Sequence, residues 1–538
     1  MTSEPFGFWC RIETPSCYFA YPGKEAAEMI GKPSPDAKLV ARFAEPPWNE
    51  QSAPWCQIDA QLSPAHLARE MRQAMTHLDL TSLYNSYAGR GKVPYRPDLL
   101  LAIVLCELRR GQRQPSQWFQ DTHENCALWW LGYGLRPSRS CWYEFRDRTG
   151  PSLDRLNMHV LHQAVDAELT QVERGALDGS AVAAKASRRR LINAERLQQR
   201  LHHLEASRQD DAQGDAPTTV PAWMAKTPRS RTAQHERYRQ AQEHLAGLQA
   251  ANQQYSPSER RAPDKLVISP GDPEAALGVD KDHVFRPLYT MQTVRDVASP
   301  LIVSDDVFAQ ATDAGTLPSM LERTEPLTGH RLQEVLVDSG DVTGIDLALC
   351  AQAEVTLYGP WKANDVSTPK TAMLFTKAQF PWLPELETYS CPAGHVLKRV
   401  GRETRRRSGG REEVVVRYGV PAATCHACPL RPQCTTSQKG GRSLRRSEHE
   451  EVIIAHQAWM ETEAAKAVYR LRGQTIEIVF ADLKEHRGLR RFSGHGLARA
   501  RLELAFEVLV HNLLVLHRFL HQKQDVQETT PKPENRAA

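Results

Sequence analysis

Between residues 172 and 360, short apolar runs alternate with stretches of helical periodicity, and this alternation constrains the fold more than any other feature. Ala176-Leu177-Asp178-Gly179-Ser180-Ala181-Val182 reads as a short buried strand ending in polar residues. Phe285 to Val294 and Leu301-Ile302-Val303-Ser304 read as two more. A helix bearing Leu317, Met320 and Leu321 follows, then the strands Glu334-Val335-Leu336-Val337-Asp338 and Val355-Thr356-Leu357-Tyr358. Strands interleaved with helices predict an α/β fold, a sheet flanked by helices.

The flanks have a different texture. Residues 1–60 are rich in Pro, Trp and Cys without clear periodicity and read as an irregular arm. Residues 61–150 predict an all-helical, helix-turn-helix-like bundle. Its segments run from about Pro64 to Leu80, from Pro97, from about Ser116 to Leu131, and from Ser138. Trp118, Trp129, Trp130, Trp142 and Phe145 there read as core. Leu197, Leu201, Leu204, Tyr238, Ala241, Leu245 and Leu248 predict a helical hairpin inserted over 190–255, with a polar tip from Asp210 to Arg231. A second insertion over 386–450 interrupts the α/β domain, which then spans 170–385 and 453–520, and 521–538 reads as a disordered tail.

Net charge is only +4 over 538 residues, so global charge does not announce a nucleic-acid partner. No basic start leads into an apolar run near Met1, and Leu99–Cys106 is too short to cross a bilayer. The expectation is a cytoplasmic protein without a membrane partner, its eleven cysteines mostly reduced.

Two acids follow apolar strands where catalytic acids of α/β sheets are often found, Asp178 and Asp338. Small residues come after each and leave space for an ion and a phosphate. A third candidate is Glu477, in a helix whose Ile476, Val479, Phe480 and Leu483 should face the core. Arg470, Glu477 and Lys484 share a stripe about 100° away. Three carboxylates suit attack on a phosphodiester, where two Mg²⁺ ions about 4 Å apart activate one oxygen and stabilise the other. Yet the chain has 64 acidic residues, and an Asp after an apolar run is more often a turn or cap, so periodicity alone does not select this trio.

Cys425 and Cys428 form a C-x-x-C pair, with Cys434 downstream and Cys391 upstream. Four thiolates there suit structural Zn²⁺, with His395 and His426 as alternative ligands; a purely buried cluster is the other reading. Cys10, Cys17, Cys56, Cys106, Cys126, Cys141 and Cys350 lack ligand spacing. From Cys391 to Arg446 there are 13 Lys/Arg against 3 Glu, with Arg405-Arg406-Arg407 and Arg445-Arg446 prominent. Such a patch suits DNA phosphates, with a solvated loop as the alternative; Arg188-Arg189-Arg190 is a weaker second patch.

These blocks together resemble bacterial insertion-sequence transposases of the DDE class. Asp178-Gly179-Ser180 with Ala184-Lys185-Ala186-Ser187 is similar to the family's first-aspartate block. Asp272-Pro273-Glu274-Ala275, Tyr289-Thr290-Met291-Gln292 and Leu301-Ile302-Val303 are similar to its next strands, and Val335 to Gly340 to its second-aspartate block. Ile476 to Phe480 with Lys484, His486, Arg487, Gly488, Leu489, Arg490 and Arg491 is similar to the glutamate block, as is Val510-His511-Asn512-Leu513. Tyr469, Arg472, Glu477 and Lys484 fit a Tyr-Arg-Glu-Lys signature, with four residues rather than three between Arg and Glu.

The resemblance implies an RNase-H-like mixed sheet carrying Asp178, Asp338 and Glu477 as catalytic ligands of Mg²⁺ or Mn²⁺. It implies cleavage and strand transfer on double-stranded DNA, at terminal inverted repeats and target, without a covalent protein–DNA intermediate. Lys484, Tyr469, Arg472, Arg487, Arg490, Arg405 and Arg406 are the expected DNA contacts. Bringing two DNA ends together implies a homodimer. The alternative is a catalytically inactive or domesticated DNA-binding relative.

Overall fold

The computed structural model describes residues 41–529 except Arg90, 216–218, Ser256, Ser258, Glu259, Asp341, 362–374 and 407–410. Its centre is a six-stranded mixed sheet. The strands are β1 (Arg174–Ala183), β2 (Ala276–Val279), β3 (Phe285–Asp296), β4 (Ile302–Phe308), β5 (Glu334–Leu336) and β6 (Thr356–Tyr358). β3 runs antiparallel to β1, and β2 and β4 share its outer edge. On the other side of β1, β5 and β6 follow in parallel. Pro287 to Val294 of β3 are all buried, as expected of a strand covered on both faces.

Alternation along β1 assigns its side chains to two cores. Leu177 joins Val294, Leu301 and Val303 on one face. Ala176 and Val182 join Tyr289, Met291 and Leu336 on the other. Helices α1 (Pro97–Arg109), α2 (Leu153–Asp166) and α3 (Leu317–Thr328) share the first of these cores, and α3 packs directly on the sheet. The second is covered by α4 (Leu471–Ala481), through Ile476, Val479 and Phe480. The long α5 (Leu497–Thr529) serves both, with Leu509 and Leu513 in one core and Leu504 and Val508 in the other. α5 is long and apolar enough to span a membrane, but 61% of its most apolar window is buried in this protein.

The helical bundle is not a separate body. Trp118, Trp130 and Trp142 belong to the same continuous core as Leu177 and Val303 of the sheet. Apolar surface on both partners is thereby removed from water at one seam.

Several expectations are corrected. The supposed irregular arm holds a helix over Ala53–Gln61, whose Trp55 stacks on Trp130 at 5.5 Å. The segment after Ser116 is two helices, because Asn125 is extended and caps the second through Ala127 N–H. α2 has no counterpart in the sequence reading, and α5 continues to Thr529, so 521–529 is helix rather than disordered tail. β1 does not end at Asp178 but runs five residues further, paired with β3.

Between β1 and β2 stand two helices, Ala194–Gln213 and Pro228–Gln253, with a small core of Leu197, Leu201, Leu204, Tyr238, Ala241 and Leu245. They extend into the expected polar tip, where the buried Arg231 pairs with Asp211. The cysteine-bearing segment forms a three-stranded antiparallel sheet of Lys398–Arg406, Glu412–Gly419 and Ser443–Ser447, unforeseen in sequence, over a core including Tyr389, Tyr418 and Leu444.

Candidate active site

The parallel pairing of β1 with β5 covers Gly175↔Val335 and Ala176↔Leu336 and stops there. Asp178 stands two residues beyond that point on β1, and Asp338 two residues beyond β5. Where the parallel pairing ends, strands separate and side chains can converge on a ligand. Asp178 Oδ1 accepts the Gly179 N–H at 2.8 Å. Asp338 Oδ1 accepts the Gly340 N–H at 2.6 Å. Burial raises the Asp178 pKa, Arg472 and the Gly179 amide oppose this, and Asp338 adds to it. The two aspartates therefore feel each other's charge.

α4 brings Arg472 to the same place, and Tyr469 stands at the end of the helix before it, Glu463–Tyr469. Arg472 is mostly buried and its guanidinium lies 3.2 Å from Asp178 Oδ1. It faces the carboxylates, not open solvent. Tyr469 is half-buried; burial raises its pKa, and Arg472, Asp338 and Asp178 all act on it. Glu477 is exposed, on the side of α4 away from Ile476 and Val479. Its side chain leans back toward the helix N-terminus, as helical side chains do. A Cβ on Gly473 would stand 3.8 Å from Glu477 Oε1, which places that oxygen one residue from Arg472 along the helix.

Lys484 follows in a π-helical turn, Asp482–His486. Its ammonium donates to Ser180 Oγ and, at 3.0 Å, to the Ala181 carbonyl, both on β1 just past Asp178. Burial, Lys281 and Arg490 lower its pKa to about 8. Arg490 is exposed and holds Glu485 through both carboxylate oxygens, at 2.5 and 2.6 Å.

Other expected DNA contacts are placed differently. Arg487 is buried, 2.5 Å from Asp482 and 3.3 Å from Glu507, so its charge is spent inside the protein. Arg405 is paired with Glu403 at 2.5 Å. The side chain of Arg406, and Arg407 entirely, lie outside the described residues. Arg446 lies over the Trp382 ring at 3.8 Å and is paired with Glu451. Lys398, Arg399, Arg402, Arg417 and Arg445 remain exposed.

Two nearby residues escaped the sequence reading. Lys281, on the turn between β2 and β3, acts on Asp178 and Lys484. Asp313, before α3, is acted on by both Asp178 and Asp338. Neither sits in a motif; only the register Gly179↔Gln292 hints that this part of β3 borders the acids.

Cys391, Cys425, Cys428 and Cys434 line one small cavity with His395. Cys391 Sγ accepts the His395 N–H at 3.3 Å, and Cys425 Sγ accepts the Arg442 N–H at 3.4 Å. Burial raises the Cys434 pKa, and the other three cysteines add to this. Cys106 and Cys350 are core residues, and Cys10 and Cys17 lie outside the described residues.

In kind, the donors fit their expected metals: carboxylate oxygens for Mg²⁺ or Mn²⁺, thiolates for Zn²⁺. Among the described residues, however, no three His, Cys, Asp or Glu side chains converge closely enough to hold an ion. At the carboxylates the Arg472 guanidinium supplies positive charge on Asp178 instead.

At the end of its parallel strands the mixed sheet thus presents Asp178 and Asp338, with Arg472 of the facing helix paired to Asp178. Residues 390–517, about a quarter of the chain, match the family model described as the transposase DDE domain. The matched stretch holds Glu477, Lys484 and the four cysteines, and leaves Asp178 and Asp338 outside it. No curated protein and no solved structure matches the chain.

Proposed function

We propose that this protein is a transposase that cleaves DNA at the terminal inverted repeats of an insertion sequence and joins the ends to target DNA. The observation that carries this is the meeting of Asp178 and Asp338 where the β1–β5 pairing ends, facing the helix of the family-matched segment. The order β4-β3-β1-β5-β6, with three antiparallel strands and then two parallel ones, supports an RNase-H-like reading of the sheet.

Asp178 and Asp338 hold divalent metal in this reading, and Glu477 joins them from the rim of α4. Bound there, Mg²⁺ or Mn²⁺ supplies activation of the attacking oxygen and neutralises charge on the phosphate. Arg472 must then release Asp178 and is free to meet the phosphate. Tyr469 and Lys484 border the same space and orient the DNA backbone. Water breaks the phosphodiester and leaves a 3′-hydroxyl; that hydroxyl attacks a target phosphorus, forming one P–O bond as another breaks. The protein carries no covalent link to DNA in either step. Arg490, Arg188 to Arg190 and the exposed cations of the cysteine-bearing sheet supply salt-dependent phosphate binding. Cys391, Cys425, Cys428 and Cys434 hold a structural Zn²⁺ that fixes this sheet, and a homodimer brings the two DNA ends together.

The second reading, a DNA-binding relative without catalysis, is favoured by the Arg472–Asp178 ion pair and by the exposure of Glu477. A nicking assay on the element's ends separates the two. Wild type is expected to nick with Mg²⁺ or Mn²⁺, and Asp178→Asn to lose roughly a hundred- to a thousand-fold in rate while still binding DNA. Equal nicking by both would reject this site, and cutting without preference for the ends would indicate a general nuclease.

A further inference from the structure

The helical bundle touches the segment that carries Lys484 through the loop that leaves α1. Gly111 in that loop has φ +80°, which glycine adopts without strain, and a Cβ on it would stand 3.5 Å from the His486 and Arg487 carbonyl oxygens. Arg113 follows, with a side chain only 13% exposed. One arm of its guanidinium donates to the Gly488 carbonyl at 2.8 Å and to the Arg491 carbonyl at 2.9 Å. The other arm lies 3.5 Å from Glu503 of α5. Glu503 in turn accepts the Ser493 N–H at 2.8 Å, the Ser493 hydroxyl at 2.8 Å and the Gly494 N–H at 2.7 Å. A rigid fork of donors thus gathers one turn of the chain from the bundle side.

The far side of that turn is fixed to β1. Ala183 accepts the Phe492 N–H at 2.9 Å and donates to the Arg490 carbonyl at 3.3 Å. The Leu489 N–H returns to the Leu483 carbonyl at 2.8 Å, one residue before Lys484. Arg109, at the end of α1, reaches Asp482 at 3.4 Å. Residues 482–494 are therefore gripped between β1 and the bundle, and Lys484 meets Ser180 and Ala181 inside that grip. An ammonium has three donors, so Lys484 keeps one for a phosphate. Arg113 spends its donors on carbonyls and a carboxylate of its own chain, which suits holding a turn and not binding DNA.

We infer that Arg113 is a positioning residue, through which the helical bundle holds the Lys484 turn against β1 so that the Lys484 ammonium meets a DNA phosphate. The inference rests on the reading of Lys484 as a DNA contact. Its test is the salt dependence of binding of the full chain to duplex DNA of unrelated sequence, in KCl without divalent metal. Each phosphate contact adds about 0.9 to the slope of log affinity against log salt. Lys484→Met is expected to lower the slope by about that amount. Arg113→Met is expected to lower it equally, and the two substitutions together to lower it no further. Arg113→Lys is measured alongside: it keeps the charge, replaces the fork by a point donor, and is expected to lose the same increment. A wild-type slope in either folded Arg113 variant, with the slope lowered in Lys484→Met, would overturn the role of Arg113 alone. Additive losses in the double variant would make Arg113 a DNA contact in its own right and overturn its positioning role. An unchanged slope in Lys484→Met would remove Lys484 from the DNA surface, and this inference with it.

Discussion

Lys484 shows how much one side chain's role depends on what it touches. The sequence offers a cation at the end of an amphipathic helix; the structure wedges it against β1, donating to Ser180 and Ala181 beside Asp178. Burial and two neighbouring cations hold its pKa at about 8, against 10.5 for a free lysine. The unfolded chain therefore keeps this proton more firmly, and stability gains as pH rises from about 8 to 10.5. Lys484→Met is expected to lose that increment, seen as a smaller difference in unfolding temperature between those two pH values. An equal difference in variant and wild type would place the ammonium in open water. Arg487 teaches the opposite lesson. It sits in a basic run that reads as a DNA contact, yet it is buried between Asp482 and Glu507. Spacing identifies a residue type, but only its surroundings decide whether its charge reaches a ligand.

At the scale of elements, the Val510-His511-Asn512-Leu513 block proves to be a clamp. Asn512 is completely buried in α5. Its Oδ1 accepts the Ile302 N–H at 2.9 Å, and its Nδ2 donates to the Ile302 carbonyl at 2.8 Å and to Asn157 Oδ1 at 2.9 Å. One amide thus ties β4, α2 and α5 together. Asn512→Leu would strand both polar groups of Ile302 in the interior, at a cost of about 3 kcal/mol. Chemical denaturation is expected to show that loss, and a change below 1 kcal/mol would mean that the strand finds other partners. The Asp272 block has a similar duty: Glu274 accepts the Leu497 N–H at 2.7 Å at the start of α5, and Asp272 accepts the Tyr289 hydroxyl at 2.6 Å. Motifs that look catalytic by association can be joints between elements. Helical periodicity at 476–483 did identify the buried face of α4, because that face repeats at the helix period. α2 escaped notice although it is amphipathic, since it lies between stronger signals on either side.

For the molecule as a whole, the bundle and the sheet share a core, while the cysteine-bearing sheet closes a small one of its own. A core of six buried side chains is thin support for three strands, which is why a metal would matter there. Purified protein is expected to contain one Zn²⁺ per chain by elemental analysis, and the double variant Cys425→Ser, Cys428→Ser to contain none. That variant should lose DNA affinity while the sheet-and-bundle core unfolds at an unchanged temperature. Zinc-free protein with full DNA affinity would leave the cysteines as a purely structural cluster.

Local chemistry in the chain itself determined the alternation of strands and helices, the buried face of α4, the hairpin helices and the clustering of cysteines, because each is written in neighbouring residues and their period. Tertiary structure alone decided that Arg472 pairs with Asp178, that Asn512 of α5 clamps β4 and that Arg487 is interior. The first two join residues more than two hundred positions apart, and no periodicity records a distance through space.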